Sequence, residues 1–141
     1  MSQVSDLSLW YASRAKEELR EASTHFARYR YPECVICAQE SIELGIKAIF
    51  EFLGQRYPPE HDVFARNVNE MLRSLSQRLT QYNQQLSRCA LISDRWARIA
   101  RSLASYGMQI LGVPGSQIIR RADAESARND ANEIVTLLHD I

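Results

Sequence analysis

The stretch from Tyr31 to Asp62, YPECVICAQESIELGIKAIFEFLGQRYPPEHD, constrains this chain more than any other. Pro32 fits the first turn of a helix, where its missing N–H costs nothing, and Gly54 fits the far end, so a helix of about six turns is bounded between them. Val35, Ala38, Ile42, Ile46, Ile49 and Leu53 recur at three and four residues, while Cys34, Cys37, Leu44, Ala48 and Phe52 make a second apolar flank. A helix apolar on most of its circumference has to be enclosed by others. Gln39, Glu40, Glu43, Lys47 and Glu51 are left as a narrow polar strip, expected to be the only place where this helix meets solvent or a ligand. Glu43 precedes Lys47 by four residues, the favourable order for an ion pair.

The enclosing helices are legible on either side. Residues 5–29 read as an amphipathic helix with Ser5 as N-cap, an inner face of Leu7, Tyr11, Ala15, Leu19, Ala22, Phe26 and Tyr29, and a solvated face of Arg14, Glu17, Glu18, Arg20 and Glu21. The short connection Arg28-Tyr29-Arg30-Tyr31 makes the first two helices antiparallel neighbours. After Gly54, two prolines in QRYPPEHD forbid helix and set a rigid turn, with His61 or Asp62 capping the next helix. Phe64, Val68, Met71, Leu72, Leu75, Leu79, Tyr82 and Leu86 carry that third helix to about Arg88. Ser93-Asp94 offers the N-cap of a fourth, on which Trp96, Ile99, Ala100, Leu103 and Tyr106 continue the period. Residues 107–121, with three Gly and one Pro, read as a loop against the core. A last helix from about Asp123 buries Ala124, Ala127, Ala131, Ile134, Val135 and Leu138, and its alanines imply close approach to a neighbour. No period of two occurs, so the expected fold is all-α, an up-and-down bundle of four or five helices forming one domain over residues 1–141.

Composition narrows the functions. Seventeen basic and seventeen acidic residues cancel, so bulk charge points to neither nucleic acid nor membrane. The basic residues are fifteen Arg to two Lys; the skew reads either as a codon or habitat bias or as a use for Arg, the side chain suited to bidentate contact with carboxylate or phosphate. Three cysteines and no secretory leader before Ser5 argue for a reduced, cytoplasmic protein. Cys34 and Cys37 have C-x-x-C spacing inside a buried helix with no second pair or nearby His, so core packing rather than a metal site is expected. Trp10 and Trp96 fall on or beside apolar stripes and read as core.

The order helix, AQESIELGIKAIFEFLG, YPPEHD, long helices, DAESARNDANEIV resembles the HEPN family of small α-helical domains. Gln39, Glu43, Lys47, Ala48, His61, Asp62, Asp123, Ala124 and Glu125 match the family's positions, and the resemblance runs from about residue 8 to 136. It implies a compact bundle, usually a homodimer, with a cleft bounded by the central helix and the turn after it. It further implies one of three roles: nucleotide binding, partnership with a small nucleotidyltransferase in a toxin–antitoxin type pair, or metal-independent cleavage of RNA.

The ribonuclease branches of that family carry an Arg followed after four to six residues by His. Here Arg101 is followed by Tyr106, and no His lies between Asp62 and His139. Tyr, with an unperturbed pKa of about 10, cannot act as the base that cleavage through a 2′-hydroxyl needs at neutral pH. Arg20 with His25 and Arg56 with His61 have the spacing elsewhere, about as many matches as chance supplies. Of these, Arg56 and His61 flank the proline turn and are the candidate catalytic pair; the alternative for His61 is a helix cap. The candidate ligand-binding residues are Gln39, Glu43, Lys47, His61 and Asp62, with Lys47 meeting a phosphate, against the alternative that Glu43 and Lys47 form a structural ion pair. The reading is a non-catalytic module that binds a nucleotide or RNA or docks a nucleotidyltransferase, without cofactor or metal; a ribonuclease and a ligand-free scaffold are the alternatives.

Overall fold

The computed structural model describes residues 6–54, 72–74, 77, 82–100 and 120–140, with side chains omitted at 94–100 and 140. Helix α1 spans Asp6–Ala27, α2 Tyr31–Phe52, α3 Asn83–Ala100 and α4 Arg121–Asp140, and no strand occurs among the described residues. No helix there is long and apolar enough to cross a membrane.

Helix α2 has the bounds its sequence dictates. Pro32 is buried in the first turn, and the chain leaves the helix at Leu53. Gly54 follows with φ +71°, a left-handed conformation that a residue without Cβ adopts freely. Val35, Ala38, Ile42, Ile46 and Ile49 are enclosed, and Phe50 joins them. Against them lie Ala124, Ala127, Ala131 and Ile134 of α4, and Leu86, Cys89, Ala90 and Ile92 of α3. Each such Ile, Leu or Phe contributes roughly 1.5–3 kcal/mol relative to exposure.

Specific contacts set the helix directions. The Ser8 hydroxyl of α1 donates to the Ala48 carbonyl of α2 at 3.0 Å, and Ser41 of α2 donates to the Ala15 carbonyl at 2.8 Å, so the two helices run antiparallel. Cys34 lies against the Ala124 carbonyl at 3.7 Å and Gly45 against Ile134, so α4 runs parallel to α2. Arg88 of α3 pairs with Glu133 while Gln84 sits beside Leu137, making α3 antiparallel to α4. The four helices thus alternate up and down, and the first residues of α2 and α4 share one end with the last residues of α1.

Several local expectations are corrected. Leu7 and Trp10 are exposed, at 45% and 56%, rather than inner-face or core residues. The α1–α2 seam is closed by small residues, Ser8, Ala15 and Ala22, and is close enough for Ser8 to donate to the Ala48 carbonyl and Ser41 to the Ala15 carbonyl; such a tight seam turns larger side chains onto the flanks. For the same reason Glu18, adjacent to the seam, is only 7% exposed rather than solvated. Tyr29 is not on an inner face but is 74% exposed beyond the end of the helix. Ser93-Asp94 does not start a helix: α3 runs through it, with Ser93 buried at the same period as Leu86, Cys89 and Ile92. Helix α2 also meets solvent at Glu33 and Ile36, beyond the polar strip. The Trp96 side chain lies outside what the structure describes, as do residues 107–119 of the segment expected to be a loop, while Arg121, expected in that segment, opens α4.

Candidate nucleic-acid interface

Of the ligand-binding residues read from sequence, the structure brings Gln39, Glu43 and Lys47 together as half-buried side chains on successive turns of α2. Lys47 reaches back to α1, its Nζ 5.8 Å from the centroid of the Tyr11 ring. The proline turn lies outside the described residues, and with it Arg56, His61 and Asp62, as do Arg101 and Tyr106. Asp123 has a structural role: its carboxylate accepts the Arg120 backbone N–H at 2.9 Å, the reaching-back half of a capping box at the start of α4. Ala124 is core, and Glu125 is exposed.

Further along the α1–α2 seam is an acidic cluster. Burial raises the pKa of Glu18, Glu40 and Glu21 raise it further, and Arg14, 3.3 Å away, opposes them. A hydrogen bond between Glu18 and Glu40 adds to the rise, since two carboxyl groups can share one only when a proton is kept between them. Cys37 faces Glu21 at 4.0 Å, and burial together with Glu18, Glu21 and Glu40 pushes its thiol up to about 12. The potential ligand atoms of Glu18, Glu21 and Cys37 lie within 4.8 Å of one another. Arg14 pairs with Glu18 at 3.3 Å, and the Cys37 thiol, pushed up to about 12, is the neutral species at pH 7. Cys34 and Cys89 are core residues, as their buried setting predicts.

The most distinctive chemistry is at the opposite end of α2 from Lys47, about 24 Å away along the axis. Here α1 ends in a Schellman turn: the Arg30 N–H donates to the His25 carbonyl at 2.9 Å and the Tyr29 N–H to the Phe26 carbonyl at 3.1 Å. The residue at the left-handed position of such a turn is usually Gly, but here it is Tyr29, with φ +61°. A side chain there costs on the order of 1 kcal/mol. The Tyr29 ring stands perpendicular to Tyr31, centroids 6.4 Å apart, and Tyr31 packs in turn on Phe26 at 5.9 Å. Over Phe26 lie two guanidinium groups from α4, Arg128 at 4.4 Å and Arg121 at 5.1 Å.

Arg28 and Arg30 flank Tyr29 on the same turn, and Arg120 precedes α4, so five arginines gather at this end against the carboxylates of Glu33, Asp123 and Glu125. The positive ends of the α2 and α4 dipoles add to them. From Arg128 a groove of about 240 Å³ continues between α1 and α4, lined by Leu19, Ser23, Asn129 and Asn132. Hydroxyl and carboxamide groups of this kind can both donate and accept, as base edges require. The His25 Nδ1 is buried, with no hydrogen-bond partner among the described residues.

Sequence reasoning takes the Arg28–Tyr31 segment as a connector and misses this cluster. The local signals are visible, an alternating Arg-Tyr-Arg-Tyr and a second Arg pair at 120–121. What joins them is the parallel packing of α4 on α2.

Comparison with curated proteins and with solved structures gives no match. The HEPN domain, by contrast, matches residues 8–141, nearly the whole length, and the helical architecture agrees with the resemblance seen in the sequence. The chain therefore belongs to the HEPN domain family.

Proposed function

We propose that this HEPN domain is a non-catalytic binding module that holds RNA by its phosphates at the arginine-rich end and along the α1–α4 groove. The observation that supports the reading best is the gathering of Arg28, Arg30, Arg120, Arg121 and Arg128 toward one end of the bundle, with Arg128 leading into a polar groove, in a chain whose total charge is zero. A local concentration of that kind focuses anions where the net charge would not. Guanidinium groups give phosphate oxygens paired donors in a fixed plane, and the groove gives the sugar and base edges hydroxyl and amide partners. Binding without cleavage is supported by the sequence: where the family's Arg and His pair would fall, Arg101 is followed by Tyr106.

Fluorescence anisotropy with a labelled, unstructured RNA in EDTA tests this. The expected result is saturable binding that weakens as salt rises, with a log–log slope of about −0.7 for each phosphate contacted, and RNA that is intact afterwards. Alanine at Arg28, Arg30 and Arg121 together should lower both affinity and slope. Binding insensitive to that triple change, or cleavage of the RNA, would overturn the reading. ATP titrated in parallel distinguishes a strand from a mononucleotide as ligand.

A further inference from the structure

Tyr29 is an anomaly that the phosphate contacts leave unexplained. The residue is 74% exposed, so burial does not account for an aromatic side chain, and its backbone adopts a conformation that favours Gly. The Schellman turn itself needs only the backbone. A strained residue that is also exposed, aromatic and flanked by two cations suggests a contact made outside the chain.

We infer that Tyr29 is a stacking platform for an unpaired base, so that the ligand of the arginine-rich end is a single strand. This rests on the RNA-binding reading and names the form of RNA it takes. The supporting arrangement is a ladder of rings, Tyr29 perpendicular to Tyr31 at 89° and Tyr31 tilted on Phe26 at 57°, which braces Tyr29 through one ring while most of its surface stays open. Arg28 and Arg30, immediately on either side, can meet the phosphates before and after the stacked nucleotide. Arg121 and Arg128, drawn onto Phe26, carry the backbone toward Ser23, Asn129 and Asn132. Every base has a π face, so stacking selects for an unpaired strand more than for a sequence. In a duplex the faces are covered by neighbouring pairs, and contact falls to the phosphates and 2′-hydroxyls.

The decisive variant is Tyr29→Gly, because Gly relieves the left-handed backbone and leaves folding intact or improved. Its thermal midpoint should equal or exceed that of the wild type. Its affinity for an unstructured twelve-nucleotide RNA should fall about tenfold or more, within the range that loss of one stacked base produces. Affinity for a blunt duplex of equal length should change less than about twofold, and Tyr29→Phe should bind the single strand like the wild type. Quenching of 2-aminopurine in the same strand should be lost with Gly and kept with Phe. Single-strand binding by Tyr29→Gly within about twofold of the wild type, while the triple arginine variant loses it, would overturn the platform and leave the phosphate reading standing. Absence of RNA binding in the wild type would overturn both.

Discussion

The guanidinium of Arg128 lies over the face of Phe26, 4.4 Å from the ring centroid. The pair joins α4 to α1, and Arg128 also lines the groove between them. Arg121 approaches the same ring at 5.1 Å, so Phe26 orients two cations that would otherwise be free to swing into solvent. Each cation–π contact at a partly exposed site contributes about 0.5–1 kcal/mol, more where water is excluded. Orienting arginines in advance also reduces the entropy lost when a phosphate binds.

Phe26→Leu isolates this effect, since Leu keeps an apolar side chain against the core but has no ring quadrupole. We expect a loss of about 1–2 kcal/mol in urea unfolding, from two weakened cation contacts and one ring contact with Tyr31. RNA affinity should fall several-fold although no arginine has been removed. A full loss of stability with unchanged affinity would mean that Phe26 packs the bundle without presenting Arg121 and Arg128.

Gly45→Ala tests the packing that places α4 parallel to α2. A methyl group at position 45 would overlap the Cγ2 of Ile134, and Ile134 is enclosed and β-branched, with little freedom to move aside. Against this the substitution brings a gain in helix propensity of about 1 kcal/mol. Overpacking typically costs about 1–3 kcal/mol, so the net result should be destabilisation, seen as a lower thermal midpoint by circular dichroism. Gly45→Ala together with Ile134→Leu, which lacks the Cγ2 methyl, should recover part of it.

Glu18 makes stability depend on pH in the sense opposite to that of most carboxylates. Its folded pKa is raised above the ordinary 4.5, first by burial and then by Glu40 and Glu21, with Arg14 opposing. The folded state therefore holds the proton more tightly than the unfolded one. Below the unfolded pKa the group imposes no penalty; as pH rises through the folded pKa, stability is lost. Glu18→Gln fixes the neutral form and can still donate to Glu40 and accept from Arg14. At pH 7.5 it should be more stable by on the order of 1 kcal/mol, a few degrees in thermal midpoint, with the advantage shrinking toward pH 4. An advantage constant with pH would sink this account.

The parts legible in the sequence are those where one residue type has one physical use. Pro32 and Gly54 bound α2, the three-and-four spacing from Val35 to Ile49 identifies its buried face, and Ala124, Ala127 and Ala131 announce a close neighbour. Periodicity fails where helices approach through small residues. On α1 the seam belongs to Ser8, Ala15 and Ala22, so the larger Leu7 and Trp10 read as core but face out, and Glu18 reads as solvated but lies in. Ser93-Asp94 imitates an N-cap because a hydroxyl buried in mid-helix and one at a helix start look alike in a string of letters. The arginine-rich end is hidden for another reason: Arg28 and Arg121 are 93 positions apart, and only tertiary packing makes them neighbours.

The three cysteines should be nearly inert in the folded protein. Cys34 and Cys89 are enclosed, and burial pushes their thiols up to about 11 and about 12. Cys37 is half-buried, yet burial and then Glu18, Glu21 and Glu40 push it up to about 12. At pH 7.5 the reactive thiolate is below about one part in a thousand at each site, so native protein should take up iodoacetamide far more slowly than protein in urea, as mass spectrometry would show. Glu21→Gln removes one of the charges holding the Cys37 proton and should speed labelling at Cys37 alone. Equal acceleration at Cys34 or Cys89 would mean that the variant opens the bundle instead of easing one thiol's ionisation.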